Sequence, residues 1–442
     1  MYDCNTAGQQ DKNMTYKQTL DFLFSWLPAY HRIGRAAYKN NLDNSNALDS
    51  YFGHPHLKFR TIHVAGTNGK GSVSHMIASI LQEAGYRTGL FTSPHLRDFR
   101  ERIRINGEMI PKREVTAFVR KHHCIIESLK PSFFEMTVAM AFDYFARANV
   151  DVAVIEVGLG GRLDSTNIIT PVLSVITNIG HDHMDLLGNT LGKVASEKAG
   201  IIKHKTPVVI GETQEETRKV FEMRAAENGS PLFFADANFE CLIQPVSDLA
   251  FERQYSIRNI AENKTIRGSL PVGGDYQGKN LITVCQSLSV LKPELNLTDE
   301  NIVEGIRKVI INTGLQGRWQ VLRTKPLVIC DTGHNKEGLE FVARQLKVMK
   351  SARLRMVIGF VSDKDLSLVF PLLPREAEYY FTRASIPRAL DEKILQSKAS
   401  ESGLYGKCYS SVREALDAAI GEAGPEDLVF VGGSTYVVAE II

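Results

Sequence analysis

Side chains that could take part in binding or catalysis cluster in three short strings of this 442-residue sequence, and each string follows an apolar run. The first string is the turn Gly66-Thr67-Asn68-Gly69-Lys70-Gly71-Ser72, which follows residues 62–65. Its glycines let several backbone N–H groups point into one concavity, where a phosphate group can bind. The ammonium group of Lys70 can reach the β- and γ-phosphates of a nucleotide, and the Ser72 hydroxyl suits Mg²⁺. The turn therefore predicts phosphate binding.

The match of this turn to the general phosphate-loop pattern is imperfect. Val64 stands where the first glycine belongs, and Gly71 separates Lys70 from Ser72. The alternative is a glycine-rich structural turn with a solvated lysine. The next segment is helical by its apolar spacing: Val73, Met76, Ile77, Ile80 and Leu81. A strand, a glycine turn and a helix start with its positive dipole end together favour phosphate binding over the alternative.

The second and third strings also follow predicted strands. Glu156 ends the apolar run 150–157 and precedes a Gly-Leu-Gly-Gly loop, so it suits Mg²⁺ held against phosphate; the alternative is an ordinary strand-terminal acid. After the strand 171–178 come His181, Asp182, His183 and Asp185. Such histidines are often solvated or structural. Their position beside two other strand ends favours a shared site, because ligands of parallel sheets bind at the carboxyl ends of the strands.

A strand at 88–92 is followed by four arginines: Arg97, Arg100, Arg102 and Arg104. They are either a solvated charged segment or contacts for an anionic substrate. Further along, Ser132 is a plausible helix cap and Glu135 a first-turn acid, so Glu135 has a structural explanation. Strands and helices alternate through most of the chain, which predicts an α/β fold.

Composition narrows the function classes. The net charge of +2 points neither to nucleic acid nor to an anionic membrane. The six cysteines lack CxxC spacing, so neither a zinc site nor a disulfide framework is expected, and a reducing cytoplasm fits. The first residues lack the apolar core of a signal peptide, and no apolar run is long enough to span a bilayer. The length predicts two or three domains.

Several strings together resemble one family. HVAGTNGKGS, LFTSPHL, EVGLGGRLDSTN and DTGHN closely resemble the folylpolyglutamate synthase and dihydrofolate synthase family, within the Mur-ligase superfamily. The resemblance runs from about Tyr16 to the C-terminus. It implies an N-terminal P-loop domain with a mainly parallel sheet, residues 1–296, and a smaller C-terminal Rossmann-like α/β domain, residues 297–442. The active site would lie in the cleft between them.

The resemblance also implies roles for individual residues. The loop with Ser93, Pro94, His95 and Arg102 would contact the folate substrate, and His183 would bind Mg²⁺ together with Ser72 and Glu156. Asn280 would contact adenine; its alternative is an ordinary asparagine at a helix start. From the second domain, Arg318 would reach the phosphates, and Asp331 and His334 would approach the nucleotide. Two positions depart from the usual family strings. The family usually has a residue other than histidine where His181 stands, and it commonly has histidine where Tyr276 stands.

Lys198 lies in SEKAGI, a string that in this family carries a lysine modified by CO₂ to a carbamate. The modification would turn a cation into an anionic ligand for a second Mg²⁺ beside His183, whereas an ordinary lysine would repel the metal. The alternative is a surface lysine near a helix C-terminus, where its charge is favourable.

The activity implied by the resemblance is an ATP- and Mg²⁺-dependent ligase. ATP would phosphorylate a carboxylate, and the amine of L-glutamate would attack the acyl phosphate. The acceptor would be dihydropteroate, a tetrahydrofolate with its glutamate tail, or both, and the enzyme a cytoplasmic monomer without nucleic-acid or membrane partners. Two alternatives stay open: a ligase acting on a muropeptide precursor, and a nucleotide-binding scaffold with a dead site.

Overall fold

The computed structural model describes residues 14–28, 41–244 and 252–442, apart from the side chain of Asp185. The Asp185 side chain, which belongs to the third string, therefore lies outside the described part. Within the described residues before the first sheet lie the helices α1 (Tyr16–Trp26) and α2 (Asp43–Tyr51). The capping box formed by Thr15 and Gln18 starts α1.

The first sheet has eight strands in the order β4-β3-β2-β5-β1-β6-β7-β8. They are β1 (Arg60–Ala65), β2 (Thr88–Phe91), β3 (Ile103–Ile105), β4 (Glu108–Met109), β5 (Val152–Glu156), β6 (Leu173–Ile176), β7 (Val208–Ile210) and β8 (Leu232–Phe234). In the spatial order of the sheet, neighbouring strands are parallel from β2 through β5, β1, β6 and β7 to β8. Strands β3 and β4 pair antiparallel at the edge next to β2. Buried parallel strands explain why the sequence shows continuous apolar runs here rather than alternation.

Helices cover both faces of this sheet. They are α3 (Lys70–Glu83), α4 (Lys112–Lys121), α5 (His123–Leu129), α6 (Phe133–Arg147), α7 (Met184–Leu187), α8 (Leu191–Ala199) and α9 (Glu215–Asn228). Helix α3 begins at Lys70, two residues before the predicted start near Ser72. Ten successive residues of α3, 72–81, are buried, because further helices pack on the side of α3 that faces away from the sheet.

The described residues between 231 and 270 form β8, the short helix α10 (Ala235–Asn238) and a three-stranded antiparallel sheet. The strands of that sheet are β9 (Phe239–Ile243), β10 (Arg253–Asn259) and β11 (Lys264–Leu270). Three helices follow: α11 (Gln277–Leu291), α12 (Asp299–Arg307) and α13 (Val309–Thr313).

Helices α12 and α13 pack against α3, so they belong to the first domain. Their buried side chains Ile302, Ile306 and Val309 share one core cluster with Ile62 and Val73. The predicted boundary after residue 296 separates these helices from the core that buries them. The sequence there, KPELNL, is a turn within the first domain, and we place the domain boundary near residue 316.

The second domain contains a six-stranded sheet in the order β12-β13-β17-β14-β15-β16. Its strands are β12 (Gln320–Thr324), β13 (Leu327–Cys330), β14 (Leu354–Ile358), β15 (Glu378–Phe381), β16 (Gly406–Cys408) and β17 (Leu428–Gly432). Only β12 runs antiparallel to its neighbour. Its helices are α14 (Lys336–Val348), α15 (Glu392–Glu401), α16 (Val412–Gly421) and α17 (Thr435–Ala439). The predicted α/β class, with a parallel-rich first sheet and a second α/β domain, is confirmed.

Parallel pairing places the functional strings side by side. Val64 on β1 pairs with Glu156 on β5 and with Val175 on β6, so the loops after these three strands leave the sheet at one edge. Among the described residues, no helix combines the length and apolarity needed to cross a membrane. Five cysteines of the described chain are free thiols: Cys124, Cys241, Cys285, Cys330 and Cys408.

Candidate active site in the interdomain cleft

The phosphate loop has a backbone that requires glycine at two positions. Gly66 has φ +147°, and a Cβ there would lie 1.8 Å from the Thr177 Oγ1 atom. Gly69 has φ +85°, and a Cβ there would lie 2.3 Å from Asn280 Oδ1. Thr177 in turn donates a hydrogen bond from Oγ1 to the carbonyl oxygen of Asn68. The loop is therefore held closely by the end of β6 and by helix α11, and any side chain at either glycine would displace it.

Two lysines point at one carbonyl group of this loop. Lys70 donates from Nζ to the carbonyl oxygens of Gly66 (2.9 Å) and Thr67 (3.1 Å). Lys198, in the last turn of α8, donates to the same Gly66 oxygen at 2.9 Å. Burial lowers the pKa of Lys198 to about 7, and the positive charge of Lys70 adds to the shift. The structure thus places Lys198 under the phosphate loop, not on a helix surface.

Glu156 lies at the end of β5, buried in the cleft. Its Oε2 atom accepts a hydrogen bond from the backbone N–H of Ser93 at 3.1 Å. Within the described chain, no donor forms a hydrogen bond to Oε1. Burial raises the pKa of Glu156, while the charge of Lys70 and the bond from Ser93 oppose the rise. Ser72 is also buried, and its Oγ accepts from Gln277 Nε2 at 3.3 Å.

The third string contributes an acid that the sequence did not single out. Asp182 is buried and joins the domains: its Oδ2 faces His334 Nε2 at 3.3 Å, and its Oδ1 accepts from Lys364 Nζ at 2.6 Å. Burial alone would raise the pKa of Asp182, but the bond from His334 and the charges of His183 and Lys364 hold it well below its usual value. The pKa of His183 is lowered to about 4, mainly by burial, so its imidazole is neutral at pH 7.

The second domain brings Arg318 and His334 to the first. The Arg318 Nη2 atom lies 3.2 Å from the place that a Cβ would take on Gly71, so the guanidinium group lies directly over the phosphate loop. Arg318 Nη1 also donates to Thr332 Oγ1. His334 Nδ1 faces the carbonyl oxygen of Thr332 at 3.0 Å, while Nε2 faces Asp182. An oxygen atom thus faces each of the two ring nitrogens of His334.

A reciprocal pair of side-chain amides joins the phosphate loop to the second domain. Asn68 Nδ2 donates to Asn335 Oδ1 at 3.1 Å, and Asn335 Nδ2 donates to Asn68 Oδ1 at 3.0 Å. Beside this pair, His181 donates from its backbone N–H to Glu337 Oε1 at 2.9 Å, and its Nδ1 lies 2.8 Å from the same oxygen. His181, which received no predicted role, thus helps to dock the two domains.

Asn280 lies in the first turn of α11, beside the phosphate loop. Its Oδ1 faces Gly69, and its Nδ2 donates to Gln277 Oε1 at 2.7 Å. Asp331, on the second domain, accepts hydrogen bonds at both of its carboxylate oxygens. Burial raises the pKa of Asp331, and the hydrogen bond from Tyr276 and the charge of Arg318 counteract it.

The predicted substrate loop packs around a buried arginine. Ser93 and Pro94, joined by a cis peptide bond, lead into His95, whose Nδ1 accepts from Arg102 Nε at 2.7 Å. The Arg102 guanidinium carbon lies 5.2 Å from the centroid of the Phe133 ring. Arg102 is only 6% exposed, which rules out the interpretation of a solvated side chain. Burial lowers the pKa of Arg102 to about 10.

The donor set fits a divalent cation. Glu156 has an unused carboxylate oxygen, Ser72 has a hydroxyl oxygen and His183 has a neutral ring, and Lys70 lies close enough to Glu156 and His183 to shift the pKa of each. In the described part of the chain, no three His, Cys, Asp or Glu side chains converge on one point.

Most predicted site residues thus surround one cleft. Three further cleft residues, Lys364, Asn335 and Glu337, carried no prediction. Asn335 was visible in the DTGHN string, whereas Lys364 and Glu337 have no local signal because their partners, Asp182 and His181, are far away in sequence. Glu135 stays a structural acid: with Ser132 it forms the capping box of α6.

Comparisons with known proteins agree with this architecture. Residues 64–288 match the Mur ligase middle domain, and residues 317–435 match the glutamate ligase domain of Mur ligases. A dihydrofolate synthase/folylpolyglutamate synthase of Bacillus subtilis is 37% identical over 432 residues, which are 94% of this chain and 97% of that protein.

Two solved structures resemble the whole chain. Escherichia coli FolC in complex with DHPP and ADP has a TM-score of 0.82 at 28% identity, with 97% of both chains covered. A bifunctional folylpolyglutamate synthase/dihydrofolate synthase with Mn, AMPPNP and L-glutamate bound also has a TM-score of 0.82 at 28% identity, and the same coverage. With both ligase domains matched and a relative of this identity over nearly its full length, the chain belongs to the folylpolyglutamate synthase/dihydrofolate synthase family of Mur ligases.

Proposed function

We propose that the residues assembled in the cleft use ATP and Mg²⁺ to join L-glutamate to a folate-type carboxylate through an acyl phosphate. As a member of its family, the chain is an ATP-dependent ligase that adds glutamate to folates. The acceptor is dihydropteroate, a tetrahydrofolate with its glutamate tail, or both. The roles of the individual residues are our proposal.

One observation carries the proposal: the Arg318 guanidinium of one domain lies over Gly71 in the phosphate loop of the other. A cation on each side of a glycine-rich loop stabilises a phosphoryl group that gains charge during transfer. Lys70 supplies the second cation, and the loop amides bind the β- and γ-phosphates. We assign Asn280, at the loop's edge, to the adenine ring, and His334 to the charge on the transferred phosphate.

In the first step, an oxygen of the acceptor carboxylate attacks the γ-phosphorus of ATP, and the bond to the β-phosphate oxygen breaks to release ADP. One divalent cation held by Ser72, Glu156 and His183, and a second held by a carbamylated Lys198 beside His183, would neutralise phosphate charge. The protein contributes position and charge, since this transfer needs little covalent chemistry from side chains. We assign Ser93, Pro94, His95 and Arg102 to the acceptor, because they line the loop beside Glu156.

In the second step, the glutamate amine attacks the acyl carbon, the carbon–oxygen bond to phosphate breaks, and an amide forms. Both steps must exclude water, because an acyl phosphate hydrolyses readily. The pairs Asn68–Asn335 and Asp182–Lys364 close the cleft around the reacting groups. Domain closure would therefore protect the intermediate.

The test is a product assay with ATP, Mg²⁺ and glutamate, in which dihydropteroate, tetrahydrofolate and a nucleotide-linked muropeptide are compared as acceptors. We expect ADP, phosphate and a glutamylated folate in equal amounts. Product from the muropeptide alone would favour the related cell-wall ligase. No ADP release with any acceptor, together with intact nucleotide binding, would favour a dead-site scaffold.

We also propose a cytoplasmic monomer whose partners are small molecules. The free thiols of the described chain fit a reducing compartment. The near-neutral net charge gives no reason to expect nucleic acid or membrane surfaces as partners. Light scattering with and without ATP tests the oligomeric state, and a stable dimer would contradict the monomer.

A further inference from the structure

Tyr276 forms a hydrogen bond across the cleft at a position where the family commonly has histidine. It is the last residue before helix α11, and its hydroxyl group donates to Asp331 Oδ2 at 2.6 Å. Tyr276 belongs to the first domain and Asp331 to the second, so this bond links them directly.

Asp331 is a point of alignment for the second domain. Besides Tyr276, its Oδ2 accepts from the backbone N–H of Trp319 at 2.8 Å, and its Oδ1 accepts from the N–H of Gly333 at 2.7 Å. Trp319 adjoins Arg318, and Gly333 adjoins His334. A buried carboxylate that accepts three protein donors fixes both backbone segments, so its geometry sets where the Arg318 and His334 side chains begin.

The same turn of α11 contacts the phosphate loop. Gln277, next to Tyr276, donates to Ser72 Oγ at 3.3 Å, and Asn280 binds Gln277 while its Oδ1 faces Gly69. One helical turn therefore touches the phosphate loop on one side and, through Tyr276, the alignment point of the second domain on the other.

The residues before Tyr276 are also held by the second domain. Gln345 on α14 donates from Nε2 to the carbonyl oxygen of Gly273 at 2.9 Å and accepts from the N–H of Asp275 at 2.8 Å. A Cβ on Gly273 would lie 2.6 Å from Trp319 Cδ1, so that glycine permits close packing. The turn cannot shift without moving the second domain.

We propose that Tyr276 is a positioning residue that couples nucleotide binding in the phosphate loop to the alignment of Arg318 and His334. Nucleotide in the loop orders the first turn of α11, and the Tyr276–Asp331 bond passes that order to the second domain. This inference rests on the proposed function and deepens it. It also gives Asp331 an alignment role beside the nucleotide contact that the resemblance implies, because three protein donors hold its carboxylate.

The test compares Tyr276→Phe with Tyr379→Phe as the matched control. The Tyr379 hydroxyl also makes one buried 2.6 Å hydrogen bond, to the carbonyl oxygen of Pro374, but entirely within the second domain. Three quantities are measured for each: ADP affinity by calorimetry, amide hydrogen exchange at residues 317–335 with and without ADP, and kcat and KM for ligation. The measurements of ADP affinity and of hydrogen exchange do not require turnover.

For Tyr276→Phe we expect ADP affinity to fall roughly tenfold or more, since the lost bond has a charged acceptor. Exchange at Trp319 and Gly333 should no longer slow when ADP binds, and kcat should fall while the KM for the folate acceptor stays unchanged. The control should match the wild type in all three. A Tyr276→Phe variant that behaves like the control would overturn the coupling.

Two further outcomes keep the inference testable. If Tyr276→Phe does not fold, the wild type alone decides: ADP must slow exchange at Trp319 and Gly333, and unchanged exchange would overturn the coupling. A wild-type chain that binds ADP and shows this protection, yet forms no glutamyl-folate, would refute the proposed function while supporting the coupling.

Discussion

Lys70 and Lys198 donate hydrogen bonds to the same oxygen atom, the carbonyl oxygen of Gly66, each at 2.9 Å. They come from different helices, α3 and α8, and neither forms an ion pair with a carboxylate among the described residues. Burial lowers the pKa of Lys198, and the positive charge of the half-buried Lys70 lowers it further, so Lys198 loses its proton more easily. A neutral amine in this place is the form that reacts with CO₂.

We predict that Lys198→Ala is nearly inactive and that added short carboxylates partly restore activity, because they replace the carbamate oxygens as anionic ligands. Lys193→Ala is the matched control, since Lys193 lies on the exposed side of the same helix. Carbon-13 NMR of wild type in labelled bicarbonate should show a carbamate signal that is missing in Lys198→Ala. An active, Mg²⁺-loaded enzyme with unmodified Lys198 would contradict the carbamate but not the ligase assignment.

Lys70→Ala should lower kcat by about 10²–10³-fold, the loss typical of removing one key electrostatic donor. The physical reason is that Lys70 provides the first domain's cation at the phosphates. Steady-state kinetics measure the effect, and thermal unfolding checks that the fold is intact. Near-normal turnover at unchanged stability would leave Lys70 as a structural lysine that only closes its own loop.

Glu156→Gln should raise the Mg²⁺ concentration needed for half-maximal activity, because a neutral amide replaces a hard anionic ligand. The amide oxygen can still accept the bond from Ser93, so the loop should keep its shape. A magnesium titration of activity measures the change, and Glu135→Gln controls for the loss of a buried acid elsewhere. An unchanged magnesium requirement would make Glu156 a structural carboxylate.

Arg102→Ala should raise the KM for the folate acceptor more than the KM for ATP, because we assign Arg102 to the acceptor. Arg97→Ala is the control: Arg97 is an exposed arginine of the same loop. Arg102→Lys separates charge from shape, since lysine keeps the charge but cannot form the planar contacts with His95 and Phe133. Equal changes in both KM values would point to a structural role for Arg102.

His75 supports a prediction about stability and pH. It is buried on α3, its Nδ1 lies 2.8 Å from Thr313 Oγ1 on α13, and burial lowers its pKa to about 3. The Thr313 hydroxyl donates to the carbonyl of Val309, so it accepts from Nδ1–H, and the lowered pKa keeps the ring neutral at pH 7. Because the folded-state pKa lies below the unfolded value of 6.5, stability is complete above pH 6.5 and declines as pH falls toward 3.

Through His75, the free energy of unfolding is about 2 kcal/mol lower at pH 5 than at pH 7. His75→Asn keeps a donor for Thr313 without a titrating group, so urea unfolding of this variant should depend less on pH between 7 and 5 than that of wild type. The same slope in both proteins would show that His75 does not carry this pH dependence. His63, also buried with a pKa lowered to about 3, accounts for part of the remaining slope.

Local sequence was enough to locate the main functional strings and the fold class. Glu156 and the 181–185 string each follow an apolar run, and parallel strands bring their carboxyl ends together at one edge of a sheet, so proximity could be inferred without coordinates. The glycines at 66 and 69 were readable for the same reason: a tight loop at a helix start is a local requirement, and its positive φ angles confirm it.

Local sequence was not enough to locate the domain boundary. The sequence from Thr298 onward indicates a helix, yet nothing in it says which core buries that helix. Only the packing of α12 and α13 against α3 assigns them to the first domain.

What the sequence by itself determined is therefore the class of fold, the family and the strings that meet at one edge of the first sheet. Tertiary structure alone decided the pairings: Lys70 with Lys198 at Gly66, Asn68 with Asn335, and Tyr276 with Asp331. The physical reason is how far apart in sequence the interacting residues are. Strand ends and glycine turns follow from neighbouring residues, whereas a hydrogen bond between residues far apart in sequence depends on the path of the whole chain and on how two domains dock.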